Sequence, residues 1–103
     1  HEAERILNDM KINSNIKPNL KCYNIVIDGY AKLGLSMDAN RIYRSIPNTL
    51  QPNMITYGTM LNSYRNTPKL AENFLIELES NGIIPNEVCY TIVITSYAKN
   101  GFP

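Results

Sequence analysis

Apolar residues recur along this chain at helical spacing. Tyr23, Val26, Ile27, Tyr30 and Ala31 stand at i, i+3, i+4, i+7 and i+8, and Tyr90, Val93, Ile94, Tyr97 and Ala98 copy them. That is the stripe of a helix burying one face. The residue types from Cys89 to Tyr97 favour a strand by propensity, being β-branched and aromatic, but the spacing predicts a helix. A second stripe, at 0, 3, 4 and 7, appears in Ala39, Ile42, Tyr43 and Ile46, in Ala71, Phe74, Leu75 and Leu78, and in Ala3, Ile6, Leu7 and Met10. The first kind of segment is here termed helix A and the second helix B. Each B segment opens on a small alanine that lets a neighbouring backbone come close.

The two kinds of segment alternate at a fixed period. Pro18-Asn19, Pro52-Asn53 and Pro85-Asn86 are separated by 34 and 33 residues, and Tyr23, Tyr57, Tyr90 and Tyr30, Tyr64, Tyr97 keep the same intervals. Periods of this length mark repeat architectures. Asn19, Asn53 and Asn86 fall where N-caps of A helices belong, and Gly34 and Gly101 fall where a left-handed C-terminal residue is wanted. Ser36 and Thr67 are placed to cap B helices, the latter before Pro68 at its favoured first helical position. Pro47 should end its B helix early. From Tyr64 to Ala71 the chain is two residues shorter than from Tyr30 to Ala39, which predicts a tightened turn. The expected organisation is an all-α solenoid: a lone B helix in 1–19, full A and B pairs in 20–53 and 54–86, and a lone A helix in 87–103. Such an array begins and ends inside a repeat, which reads as a section of something longer.

Composition narrows the function. The chain has 103 residues, a formal net charge of +1, 44% hydrophobic and 18% charged residues, two cysteines and one histidine. It holds no apolar run of membrane-spanning length, and its charge is too small for binding by a broad basic surface. Cys22 and Cys89 occupy the same motif position two repeats apart, beyond disulfide reach in a stacked array. No metal-ligand spacing, phosphate loop or nucleophile with an adjacent base is present, so no cofactor and no catalysis are expected.

The run Cys22-Tyr23-Asn24-Ile25-Val26-Ile27-Asp28-Gly29-Tyr30-Ala31-Lys32-Leu33-Gly34, its copy from Val88 to Gly101, and the closing Gly82-Ile83-Ile84-Pro85-Asn86 resemble the pentatricopeptide repeat family. The tetratricopeptide repeat, of similar length, fits poorly: the chain has no tryptophan and opens helix A on Tyr-Asn or Tyr-Thr. The resemblance implies a right-handed superhelix that binds single-stranded RNA, one base per repeat. It also implies a mitochondrial or chloroplast location, in RNA metabolism or in a larger ribonucleoprotein complex.

The residues that would carry binding lie opposite the apolar stripe of helix A: Lys21, Asn24, Asp28 and Lys32, then Ile55, Gly58, Asn62 and Arg65 or Asn66, then Val88, Thr91, Thr95 and Lys99. Stacked repeats line such residues into a ladder. By the resemblance, the residue after the helix A tyrosine reads a base together with the last residue of its repeat. Asn24 then pairs with Asn53 and Gly58 with Asn86, whereas Thr91 and Asn19 have partners outside the chain. An Asn and Asn pair looks like a pyrimidine reader leaning to cytosine; Thr91 looks like a purine reader; Gly58 has nothing to select with. Lys21, Ile55 and Val88 take the base-packing position, where Lys21 departs from the family's aliphatic residue. Lys32, Arg65 and Lys99 end successive A segments, where phosphate contact and stabilisation of the helix dipole are equally open. The three asparagines are caps whether or not they read bases, and the tyrosines belong to the core. Seven of the nine acids fall on B segments, making the A wall the more basic. The alternative reading is a protein-protein interaction scaffold.

Overall fold

The computed structural model describes residues 2–101; His1 and 102–103, the outer ends of the first and last expected units, lie outside the described residues. Among the described residues the chain forms helices α1 (Glu2–Asn13), α2 (Leu20–Lys32), α3 (Ser36–Arg44), α4 (Met54–Ser63), α5 (Pro68–Ser80) and α6 (Glu87–Lys99), and no strand. The A-type helices α2, α4 and α6 each open on an asparagine in extended conformation. The side-chain oxygens of Asn19, Asn53 and Asn86 accept from the backbone N–H of Cys22, Thr56 and Cys89, each at 3.1 Å, which satisfies one orphan donor per helix. α2 and α5 close alike. Gly34 and Gly82 adopt φ of 73° and 79°, their N–H groups reach Ala31 and Glu79 oxygens, and the next N–H groups reach Tyr30 and Leu78 oxygens, all at 3.0 Å. This paired closure needs a left-handed residue, which glycine adopts without strain.

The B-helix starts differ from expectation. Ser36 is the first residue of α3 and caps nothing; Leu35 takes the N-cap place without a side-chain bond. The turn from α2 is so short that helix resumes at once, and Asp38 in the first turn supplies the negative charge that end favours. Thr67 is the N-cap of α5, with Pro68 following as expected, but its hydroxyl donates back to the Tyr64 oxygen rather than capping forward. The two-residue shortening of the second unit is absorbed by α4, which stops at Ser63 while α2 runs to the equivalent of Arg65 or Asn66. α3 ends early, at Arg44 with Ser45 as its C-cap, ahead of Ile46 and Pro47.

The A helices pack directly on one another, α2 on α4 and α4 on α6, whereas α1, α3 and α5 pack only on A helices. The B helices are therefore spread more widely than the A helices, which puts the A layer on the inside of the curve. Long side chains span the gaps in the outer layer. Arg41 of α3 donates to Glu4 of α1 at 2.6 and 2.9 Å, and Arg44 of α3 donates to Glu77 of α5 at 2.7 and 2.8 Å. The molecule measures 50 × 29 × 16 Å, two helices deep.

The core lies between the layers and holds Tyr23, Val26, Ile27, Tyr30, Ala39, Ile42, Tyr57, Met60, Leu61, Ala71, Phe74, Leu75 and Leu78. The stripe of α6 is only partly covered. Cys89, Val93 and Ser96 are buried against the array, but Tyr90, Ile94 and Ala98, expected in the core, are exposed, as is Ile6 of α1. No helix among the described residues packs on those sides. Tyr30 and Tyr97 reach back to the preceding B helix, donating to Glu4 and Glu72 at 2.5 Å.

The Arg41 guanidinium and the Tyr30 hydroxyl hold the Glu4 carboxyl at about 2, well below its ordinary value, and Arg44 lowers Glu77. A carboxylate whose folded value is depressed adds stability above its unfolded value, and that stability is lost as pH falls through the folded one. The thermal midpoint should therefore drop between about pH 4.5 and 2. Glu4→Gln should lower the midpoint at neutral pH and flatten part of that decline, as followed by circular dichroism.

Candidate nucleic-acid interface

The side of α2, α4 and α6 turned away from the core carries two adjoining cavities. The first, about 590 Å³, is lined by Lys21, Asn24, Asp28, Asn53, Ile55 and Thr59 among others. The second, about 370 Å³, is lined by Asp28, Ile55, Gly58, Asn62, Asn86 and Val88 among others. Ile55 belongs to both and stands between them, 68% exposed, with Val88 58% exposed at the far side of the second. The structure thus brings Asn24 together with Asn53, and Gly58 with Asn86, each pair beside a compartment. A Cβ at Gly58 would meet nothing within 4 Å, so the second compartment is open where the first carries an amide. Asn19 and Thr91 are exposed at opposite ends of the array and line neither of these two cavities.

Asn24 is held more firmly than its polar surroundings suggested. The buried Thr56 hydroxyl donates to Asn24 Oδ1 at 2.7 Å and lies 3.1 Å from Asn53 Oδ1, and the Asn53 N–H donates to Thr56 Oγ1 at 3.2 Å. Sequence reasoning missed Thr56. The available signal was its register, since it stands where the flanking repeats have Cys22 and Cys89.

The basic ladder is weaker than expected. Lys32 pairs with Asp28 on its own helix at 3.0 Å. Arg65 does not project from the wall: its guanidinium donates to the carbonyls of Ala31, Lys32 and Asn62, and its own carbonyl accepts from Ser96 Oγ and Asn100 Nδ2. Because α4 ends early, this side chain can fold onto the end of α2, where its positive charge meets the carbonyls at the negative end of that helix, and it joins α2, α4 and α6. Lys99 is exposed in the last turn of α6. On the outer layer Arg5, Arg41, Arg44 and Lys69 pair with acids, so the contrast between the walls is shallower than a count of acids implies.

Stacked helical hairpins with a ladder of polar positions along the inner layer define an α-solenoid repeat protein. The model of the pentatricopeptide repeat domain matches residues 5–67 and 41–100, and the chain belongs to the pentatricopeptide repeat family. A chloroplastic pentatricopeptide repeat-containing protein of Arabidopsis thaliana is 32% identical over 75 residues, covering 72% of this chain and 10% of that protein. A mitochondrial one from the same plant is 30% identical over 93 residues, covering 88% and 13%. The crystal structure of the maize pentatricopeptide repeat protein PPR10 in complex with an 18-nt psaJ RNA element superposes with a TM-score of 0.83 at 32% identity, covering 95% of this chain and 15% of that one. The chain thus spans a small part of the length of the relatives it matches.

Arg65→Met keeps the aliphatic stem and removes the donors. It should destabilise the fold by about 2 kcal/mol, the scale of lost charge-assisted hydrogen bonds, seen as a lower urea midpoint.

Proposed function

We propose that this chain binds single-stranded RNA along the wall formed by α2, α4 and α6, one base to each compartment. The observation that carries the reading is Ile55, a large exposed apolar side chain that lines two cavities at once, each beside an amide-bearing position. A flat base on either side would cover it, and bases of any sequence offer an apolar face. Lys21, Ile55 and Val88 are the packing residues. Asn24 with Asn53 reads a pyrimidine, leaning to cytosine, while Gly58 with Asn86 passes a base without selecting it. Thr91 and Asn19 take part through neighbouring repeats. Lys32 and Lys99 contact phosphate; Arg65, occupied by carbonyls, secures the wall instead. PPR10 has been crystallised with RNA, and relatives named chloroplastic and mitochondrial support an organellar role in RNA metabolism or within a larger ribonucleoprotein. The activity is binding, without catalysis.

Ile55→Asp should leave the fold intact, since the side chain is exposed, and weaken binding of short single-stranded RNA about tenfold, the worth of one stacked base. Affinity should also fall as salt rises. Binding indifferent to both would remove RNA from this wall and favour the scaffold reading.

A further inference from the structure

We propose that Thr56 is a positioning residue whose hydroxyl sets which way the Asn24 amide faces, beside an Asn53 amide already oriented by the helix cap, and so sets the hydrogen-bonding character of the compartment between α2 and α4. The inference rests on the RNA-binding reading of that compartment. Thr56 is fully buried behind the wall. Its oxygen accepts from the Asn53 N–H at 3.2 Å, and its one proton goes to Asn24 Oδ1 at 2.7 Å, the nearer of two acceptors. Asn53 Oδ1 is engaged by the Thr56 N–H at 3.1 Å. Both amide oxygens are thus held inward on one threonine, which leaves both NH₂ groups as the donors available to a ligand.

Two neighbouring donors match two neighbouring acceptors. Cytosine offers N3 and O2 side by side on its pairing edge. Uracil places an N–H between its carbonyls, and adenine sets an amino donor beside its ring acceptor. Cytosine is therefore favoured over adenine because the Thr56 hydroxyl fixes the Asn24 amide beside an Asn53 amide that the cap already holds. The flanking repeats lack this relay. Cys22 and Cys89 hold the same register, their N–H groups meet Asn19 and Asn86 at 3.1 Å, and a thiol is a weak donor.

Those cysteines also supply the test, because they show that an asparagine cap forms on cysteine. Thr56→Cys should fold, and Thr56→Ser keeps the hydroxyl. Binding of oligocytidine and oligoadenosine RNA to the chain and both variants would be measured, with thermal unfolding recorded for each. The chain should prefer cytosine, Thr56→Ser should retain that preference, and Thr56→Cys should reduce it roughly three- to tenfold, the worth of one hydrogen bond. Equal weakening of both RNAs, or an unchanged preference in Thr56→Cys, would overturn the proposal and leave RNA binding standing. Failure of the unaltered chain to bind either RNA would overturn the RNA-binding reading and this inference with it.

Discussion

The structure depends on a single constraint: among the described residues, the apolar stripes of the A helices are covered by helices from more than one hairpin. Tyr23, Val26, Ile27 and Tyr30 of α2 are covered only because α1, α3 and α4 all pack on that helix. Burial is therefore shared between repeats, as in other stacked arrays. Where no helix follows among the described residues, as beyond α6, Tyr90 and Ile94 stay exposed. Direct contact between A helices, with B helices held apart and strapped by Arg41 and Arg44, then gives the inner layer its continuous wall.

The ends of the helices do the rest. Each A helix starts on an asparagine whose oxygen is taken by a backbone N–H. That bond places the remaining amide group on the wall beside the position that follows the tyrosine. In the RNA-binding reading proposed above, capping and recognition are one arrangement, with the oxygen serving the helix and the NH₂ left for a ligand. At the other end, Arg65 serves the carbonyls of α2 and receives donors from α6, so the wall is fixed at both edges.

Much of this was legible in the sequence. The period of the tyrosines and Pro-Asn pairs located the helices, and the asparagine caps stand where the motif put them. At the B helices the N-cap position of Thr67 was legible, but its backward bond was not, and Ser36 lies inside its helix, because a serine or threonine near a short turn can do either. The role of Arg65 was hidden because its register named it the end of an A helix, whereas α4 stops sooner and frees the side chain to turn inward. The register of Thr56 marked its place in the cap, but its contact with Asn24, 32 positions earlier, could not be read locally.

The most direct test of the account is to follow the side-chain amide resonances of Asn24 and Asn53 by NMR while single-stranded oligocytidine is added. These two should move first, together with the methyl groups of Ile55, while residues on the outer faces of α3 and α5 stay still. Shifts confined to the outer helices, with Asn24, Asn53 and Ile55 unmoved, would contradict it.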